Sequence, residues 1–435
     1  MTQPPSPSQN LPSSTRAGQT DAGPTDAAPP DDRPDRHPFP GPTDFVAAGR
    51  GIARTIDVVN VPVVRSSSVL FDRVEQAFAE SGPTIAGERH RSTYSTAGTP
   101  TTFSLMDAVA ELEGRPHRCR AALMPSGLAA ISAALLAFTK PGDHLLMSDS
   151  VYGPARVFAT TMLARFGVRT TFFDPLLSAS ALSVLVEPQT RAIYLESPGS
   201  YTFEIQDVPA ICAMARSRGV LTMIDNTYAS PCLARPFDWG VDISLIALTK
   251  YWAGHSDLLM GAVVVRDAHW ATLWAGVKQL GLCVGGDDAW LVLRGMRTVD
   301  VRMRRHQATG LAVARWLESR PEVARVLHPG LPSHPQHTLF TRDFLGACGL
   351  MSFELKPVPE AAVLALCNGR RHFSIGYSWG GFESLIMPAK IGSLRTIRPW
   401  RGGPLIRIHC GLEEPDDLIA DLDDGFGALA KAIEA

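Results

Sequence analysis

The sequence has little of what would place the protein in a membrane or on nucleic acid. Its 435 residues carry 41 Lys and Arg against 43 Asp and Glu, so neither a basic nucleic-acid surface nor an acidic tail is indicated. The longest apolar stretch, residues 128–138, is too short to span a bilayer. No basic segment followed by an apolar one opens the chain, so we expect a cytoplasmic protein rather than a secreted one.

The sequence also lacks the cysteine pattern of a disulfide framework or a zinc site. Its seven cysteines are scattered, odd in number and never arranged as C-x-x-C, which fits a reducing compartment. A loop with His328, His334 and His337 among prolines matches no standard metal spacing, and we interpret it as a solvated turn. No G-x-G-x-x-G is present, so a dinucleotide-binding fold lacks its fingerprint. We therefore expect no metal.

Composition divides the chain into four parts. Residues 1–45 hold eleven of the 34 prolines and almost no large aliphatic side chains, which predicts a disordered tail. Residues 46–100 combine an apolar patch with a polar loop, and we interpret them as an arm contributing to a neighbouring subunit. Residues 101–296 are predicted to form a large domain, and residues 297–435 a smaller α+β domain.

Short apolar strands alternate with helices from residue 103 onward. Strands are predicted at residues 121–124, 145–147, 192–195, 221–224 and 243–248, and helices at 104–114, 128–138 and 153–166. This alternation is typical of a parallel sheet covered on both faces, so the fold class is α/β. A long helix ending near Arg320 leads to the smaller domain, with strands at 350–355 and 405–409 and a last helix at 415–433.

Two residues that follow strands suggest the chemistry. Asp225 ends one apolar run and Lys250 follows another, so both are expected at the carboxyl edge of the sheet, where ligands bind in open α/β folds. Lys250 would form the Schiff base with pyridoxal phosphate, and Asp225 would keep its pyridine nitrogen protonated. Either residue alone is more often a turn former or helix cap, so other motifs must agree.

Three further features fit the same cofactor. Ser126 stands between a strand and a helix, where it can cap the helix while the free backbone N–H groups bind a phosphate, to which Thr249 could add a hydroxyl. Tyr152 follows the preceding strand and could stack on a flat ring. Arg407, central in a strand, is a natural bidentate partner for a substrate carboxylate. A capped helix, a packed tyrosine and a solvated arginine remain the alternatives.

Seven motifs in order resemble the Cys/Met-metabolism, or transsulfuration, family of pyridoxal phosphate enzymes, the γ-family of fold type I. The likeness covers roughly residue 56 to the C-terminus. The motifs are T-x-F-S-L-x-x-A-x-x-E-L-E-G (101–114), G-D-H-L-L-M (142–147), L-E-S-P-G-S (195–200), I-D-N-T (224–227), T-K-Y-x-x-G-H-S-D (249–257), Y-S-W-G-G-F-E-S-L-I (377–386) and L-I-R-I-H-x-G-L-E (405–413).

The resemblance implies a fold, a cofactor and residue roles. The fold would have a mostly parallel seven-stranded sheet in the large domain, and the protein would be a homotetramer of two active dimers. The implied roles are Schiff-base lysine for Lys250, pyridine partner for Asp225, stacking aromatic for Tyr152, phosphate contacts for Gly127, Leu128 and Thr249, α-carboxylate binding for Arg407, the substrate wall for Ser378 and Trp379, and contact with the neighbouring subunit's cofactor and substrate for Tyr94.

One departure from the family concerns cofactor retention. The β-lyases of this family usually have Tyr-Gly-Arg where this chain has Tyr94-Ser95-Thr96, so the arginine that binds the partner subunit's phosphate is missing. Thr96 could still donate a hydrogen bond, and Arg89 or Arg91 could substitute. We predict weaker cofactor retention than in a typical member.

The motifs also indicate the branch of the family. S-W-G-G at residues 378–381 is similar to the β-lyases, where γ-synthases and γ-lyases usually carry S-L-G-G. The implied reaction is cleavage of the thioether L-cystathionine to homocysteine, pyruvate and ammonia, a step of methionine biosynthesis. Other transsulfuration-family activities (cysteine-S-conjugate β-lyase, cysteine desulfhydrase, and cystathionine γ-lyase or γ-synthase) remain alternatives, and a cofactor-bound regulatory or binding protein is a remote one.

Overall fold

A seven-stranded sheet carries the carboxyl edge on which the predicted site depends. The computed structural model describes residues 40–85, Gly87 and 92–435. The sheet has the order β1-β7-β6-β5-β4-β2-β3, and β3, β2, β4, β5 and β6 are parallel while β7 runs antiparallel to both its neighbours. Its strands are β1 (Cys119–Met124), β2 (His144–Ser148), β3 (Arg169–Phe173), β4 (Thr190–Glu196), β5 (Leu221–Asp225), β6 (Ile243–Ala247) and β7 (Gly261–Arg266). The predicted mostly parallel seven-stranded sheet is confirmed.

Helices cover both faces of this sheet. The helices up to residue 296 are α1 (Pro42–Ala47), α2 (Gly51–Thr55), α3 (Val74–Ile85), α4 (Pro100–Gly114), α5 (Gly127–Phe138), α6 (Gly153–Phe158), α7 (Ala179–Ser183), α8 (Val208–Ser217), α9 (Ser230–Leu233), α10 (Asp267–Gln279) and α11 (Gly286–Met296). Among those that cover the sheet are α4, α5, α8 and α10. Leu145 and Met147 face one buried cluster and Leu146 faces the other, as the two-residue period of a strand requires. A parallel sheet buried on both faces needs apolar residues at every position of its central strands.

A five-stranded sheet forms the smaller α+β part. Its strands are β8 (Val323–Leu327), β9 (Leu350–Leu355), β10 (Phe373–Ile375), β11 (Ser384–Pro388) and β12 (Leu405–His409), in the order β10-β11-β12-β9-β8. The remaining helices are α12 (Val299–Glu318), α13 (His337–Asp343), α14 (Glu360–Cys367) and α15 (Pro415–Glu434). Ile406 and Ile408 pack into a core with Phe353 and Phe426. Because strand side chains alternate, Arg407 lies on the opposite face.

The N-terminal predictions fall only partly within the described residues. Residues 1–39 of the predicted tail lie outside them, and the boundary drawn near residue 45 falls inside α1. Arg89 and Arg91 also lie outside the described residues. Among the helices of the described ranges, none is both long and apolar enough to cross a bilayer.

Two of the three histidines in the histidine-rich loop are buried, which corrects the prediction of a solvated turn. His328 and His334 are buried, and the Nε2 of His328 lies 3.2 Å from the carbonyl oxygen of Cys348. The Nδ1 of His337 lies 2.9 Å from the carbonyl oxygen of Pro329. Burial lowers the pKa of both His328 and His334 to about 4. Backbone partners explain why these polar rings can leave water.

Candidate active site

The carboxyl ends of β4, β5 and β6 bring the predicted catalytic residues together. Glu196 at the end of β4 pairs in register with Asp225 at the end of β5, and Asp225 pairs with Leu245 of β6. Lys250 follows β6 in a turn in which its backbone N–H donates to the carbonyl of Ala247 at 3.1 Å. The amine and the carboxylate are close enough for each to shift the pKa of the other. This is the edge at which parallel α/β sheets bind ligands.

The Lys250 side chain is held in a polar and aromatic corner. Its Nζ donates a hydrogen bond of 2.7 Å to the Ser378 Oγ and lies 5.3 Å from the centroid of the Trp379 ring. Burial, with a smaller contribution from the nearby Arg407 charge, lowers the pKa of Lys250 to about 8, although Asp225 opposes the shift. A lysine with this pKa has a substantial neutral fraction near pH 8, and the neutral amine is the form that attacks an aldehyde.

Asp225 is a buried carboxylate at the end of β5. It is 9% exposed, and its Oδ1 accepts a 3.0 Å hydrogen bond from the Thr227 backbone N–H. Burial raises its pKa, while the Thr227 hydrogen bonds and the Lys250 charge lower it. A protonated ring nitrogen beside this group would stabilise its ionised form.

Tyr152 and Glu196 form a pair that the sequence did not predict. The Tyr152 backbone N–H, at the start of α6, donates to the Glu196 Oε2 at 2.6 Å. Tyr152 remains 42% exposed and lines a cleft of about 530 Å³. Burial raises the pKa of Glu196 well above its usual range, and the Asp225 charge adds to this effect. Glu196 was visible in the L-E-S-P-G-S motif at the end of an apolar run, the same signal that identified Asp225.

The start of α5 provides a cradle for an anion. The Ser126 Oγ accepts from the Ala129 N–H at 3.1 Å and caps the helix. A Cβ on Gly127 would lie 2.7 Å from the Cβ of Ala247, so only glycine lets the helix approach the sheet this closely. The N–H groups of Gly127 and Leu128 are in the first turn of the helix, where the dipole favours negative charge.

Thr249 is less free than the prediction assumed. Its hydroxyl donates to the carbonyl oxygen of Met260 at 3.1 Å and accepts from the Met260 N–H at 3.0 Å. The hydroxyl would have to rotate away from the Met260 carbonyl to donate to a phosphate.

A strained loop carries Ser378 and Trp379 to the lysine. Ser378 has φ +76°, a left-handed conformation that is uncommon for a non-glycine residue. Gly380 has φ +89°, and a Cβ there would lie 3.1 Å from the Lys250 Cα. The Gly380 N–H donates to the His409 Nε2 at 3.1 Å, and Arg407 Nη2 donates to the Ser378 carbonyl at 3.3 Å. Strand β12 therefore supports the loop as well as presenting Arg407.

Tyr94 belongs to a separate surface cleft of about 410 Å³. The cleft is also lined by Phe78, Thr96 and Lys278, and Tyr94 is 53% exposed. The Lys278 Nζ donates to the Thr96 Oγ1 at 3.2 Å. A cation thus lies beside the position where the family usually has arginine.

The residues present fit pyridoxal phosphate. An amine with lowered pKa, a buried carboxylate, a half-exposed aromatic ring and a capped helix start surround one sheet edge. These groups match the aldehyde, ring nitrogen, ring face and phosphate of this cofactor in turn. Among the residues that the structure describes, no cluster of three or more His, Cys, Asp or Glu is placed to hold a metal ion.

Comparisons with known proteins agree with this fit. Residues 42–427 match the family described as Cys/Met metabolism PLP-dependent enzyme. The chain is 42% identical to Cystathionine beta-lyase MetC of Escherichia coli (strain K12), over 89% of this chain and 98% of that one. It is 39% identical to an L-alanine/L-glutamate racemase of Wolbachia pipientis wMel, over 88% and 96% respectively.

Solved structures agree as well. A cystathionine gamma synthase from Xanthomonas oryzae pv. oryzae in complex with cystathionine superposes with a TM-score of 0.81, at 33% identity, covering 91% of this chain and all of that one. The family match, the relatives and the solved structure therefore agree with the cofactor fit at the sheet edge. The chain belongs to the pyridoxal-phosphate-dependent enzymes of Cys/Met metabolism.

Proposed function

We propose that this enzyme is a carbon–sulfur β-lyase that converts L-cystathionine and water to homocysteine, pyruvate and ammonia. The observation that carries the proposal is the 2.7 Å hydrogen bond between Lys250 Nζ and Ser378 Oγ, with Trp379 beside it. This arrangement fixes the Lys250 amine, which is partly neutral near pH 8, at the sheet edge where the cofactor would bind. From there it can accept a proton from the substrate. The E. coli relative named cystathionine beta-lyase supports the choice of substrate.

We assign each residue of the site a role in the elimination reaction. Pyridoxal phosphate supplies an electron-accepting ring that makes the Cα proton of an attached amino acid acidic. We assign Lys250 Nζ to remove this proton, because its lowered pKa matches a general base working near pH 8. Asp225 would hold the ring nitrogen protonated, and Tyr152 would stack on the ring. With the Cα proton removed, the substrate's thiolate leaves from Cβ and takes up a proton as homocysteine, and water hydrolyses the remaining three-carbon fragment to pyruvate and ammonia.

Arg407 is proposed to bind the substrate carboxylate. Its two hydrogen bonds to described residues both come from Nη2, to the carbonyls of Gly376 and Ser378, each at 3.3 Å. Nη1 thus remains for a carboxylate oxygen, and Nη2 completes the bidentate fork when the ligand replaces one of these two long carbonyl contacts. A planar guanidinium is suited to bidentate recognition of a carboxylate.

The products decide between this reaction and its alternatives. We expect L-cystathionine to yield pyruvate, whereas γ-elimination would yield 2-oxobutyrate and racemisation a D-amino acid without release of ammonia. The assay should include cystathionine, other cysteine S-conjugates, cysteine and alanine, with pyruvate, 2-oxobutyrate and chirality measured in parallel. Oxobutyrate or D-alanine as the main product would replace our assignment with a γ-lyase or a racemase. Negligible turnover at full cofactor occupancy would favour a binding role.

We also propose that the enzyme works in the cytoplasm as a homotetramer of active dimers, with residues 46–100 as the arm between subunits. The exposed aromatic side chains of Phe78 and Tyr94 on this arm support the subunit contact. The free thiols of all seven cysteines support a reducing compartment such as the cytoplasm. Light scattering of the purified protein should give four times the chain mass of 46.9 kDa. A monomer at micromolar concentration would contradict the proposed arm.

The Thr96 position yields a prediction about cofactor retention. If the surface bearing Tyr94 and Thr96 faces a partner's phosphate, Thr96→Arg should lower the cofactor dissociation constant about tenfold, because Arg binds phosphate bidentately. Lys278→Ala should raise the constant several-fold, since Lys278 is the cation that contacts Thr96. The constants are measured by cofactor titration of the stripped protein.

Lys431→Ala serves as the control, because Lys431 is an exposed lysine in the last turn of α15. Unchanged retention in the Thr96→Arg variant would show that this surface does not face the phosphate.

A further inference from the structure

Tyr201 occupies a backbone conformation that a tyrosine rarely adopts. Its φ is +66°, and the Thr202 N–H donates to the carbonyl oxygen of Ser200 at 2.9 Å, so Tyr201 is the central residue of a tight three-residue turn. Such turns with positive φ are rare and strained, and glycine would adopt the conformation without a steric cost. Strain of this kind concentrates at functional sites, where the surrounding structure maintains it.

Two distant segments maintain this turn. The Ser200 N–H donates to the Ser150 carbonyl at 2.7 Å, just beyond β2. The Arg395 side chain is 4% exposed, and its Nη2 donates to the Ser200 carbonyl at 2.6 Å and to the Thr202 Oγ1. A buried guanidinium that binds both neighbours of Tyr201 fixes the direction in which its side chain points.

The turn directs the Tyr201 ring toward the proposed carboxylate site. The Arg407 Cζ lies 5.7 Å from the centroid of the ring, within the range of a cation–π contact. Tyr201 also lines a cleft of about 530 Å³ with Tyr152, Leu128 and Leu394. Burial lowers the pKa of Arg407, and the nearby Tyr201 and Tyr152 oppose this shift. The ring therefore covers part of a guanidinium that is largely withdrawn from water.

We propose that Tyr201 is a specificity-determining residue that makes the site select ligands bearing an α-carboxylate over uncharged analogues. The ring excludes water from one side of Arg407 and places it in surroundings of low dielectric constant, where its attraction to a carboxylate is stronger. A neutral amide in the same position gains nothing from that charge. The inference rests on the role given to Arg407 in the proposed function.

The test measures binding rather than turnover. Dissociation constants of glycine and glycinamide are read from the absorbance of the cofactor in the holoenzyme, and their ratio reports carboxylate selection. In Tyr201→Gly we expect the preference for glycine to fall about 5- to 20-fold. The relief of strain should offset part of the packing that is lost with the ring, so we expect the variant to stay folded. Tyr201→Phe keeps the ring and should keep the preference within about twofold.

Two further variants separate the ring from the strain. Tyr201→Asn removes the ring but tolerates positive φ, and it should lose the preference as Tyr201→Gly does. Asp57→Gly relieves similar strain at an exposed position with φ +55°, and it should leave the preference unchanged. An unchanged preference in folded Tyr201→Gly and Tyr201→Asn would overturn the inference. Glycine has no leaving group, so this outcome is independent of whether the enzyme releases pyruvate from cystathionine.

Discussion

Lys250→Ala is expected to abolish turnover, with a fall in kcat of at least about 10³-fold, and to remove the visible absorbance of protein-bound cofactor. Both effects follow from the proposed function, in which one amine is assigned two tasks, covalent attachment of the cofactor aldehyde and transfer of the Cα proton. The side chain that remains can do neither, and the buried position leaves no other described lysine against Ser378. Absorbance spectra and pyruvate release from the same preparation are the measurements.

The pH dependence of reconstitution gives a second readout of Lys250. Burial lowers its pKa to about 8, so the neutral amine becomes the main form above pH 8 rather than near pH 10.5. The rate of cofactor attachment to stripped wild-type protein should therefore rise with pH through about 8 and then level off. Lys431→Ala is the control, because that exposed lysine lies far along the chain in α15 and should keep both colour and activity. Full activity in Lys250→Ala would refute the assignment.

Asp225→Asn is expected to lower kcat about 10²- to 10³-fold while the protein stays folded. The substitution keeps the shape of the side chain but removes a buried charge that would face the protonated ring nitrogen. Losing one partner of a buried ion pair costs about 3–5 kcal/mol, and most of this loss should be felt as the ring accepts electrons. Steady-state kinetics with L-cystathionine measure kcat, and a thermal melt of the cofactor-loaded protein measures its stability.

Asp288→Asn is the matched control for this experiment. It makes the same chemical change at an exposed residue in the first turn of α11. We expect the Asp288→Asn variant to have the kcat and the cofactor binding of the wild type. If Asp225→Asn also retained wild-type kcat, the carboxylate would not control the ring nitrogen, and the electron-accepting role of the site would need another explanation.

Most of the large sheet was predictable because its central strands are short apolar runs. The two strands that the sequence pattern missed show where this signal fails. β3 (R-T-T-F-F) is an edge strand with partly exposed polar residues, and β7 (G-A-V-V-V-R) is apolar but antiparallel to its neighbours. The histidine-rich loop was misjudged because proline and histidine are typical of exposed turns, whereas here backbone carbonyls pair with His328 and His337 in the fold.

Some residues of the candidate site were also predictable from the sequence, and others were not. Lys250, Asp225 and Ser126 could be found because each follows a strand, so their position at the sheet edge is a consequence of local order. Glu196 shares this signal and was overlooked. Tyr201 and His409 had no such signal, since their importance comes from a strained turn and from a loop amide 29 residues away in the chain.

The sequence by itself determined the family, the alternation of strands and helices, and the lysine and aspartate at the carboxyl edge, because these depend on residue order and periodicity along short segments. Only the tertiary structure decided which distant groups meet: Lys250 with Ser378, 128 positions apart, and Arg395 with Ser200, 195 apart. Local pattern carries no information about such contacts, since they depend on how the two sheets and their connecting loops pack together in the folded chain.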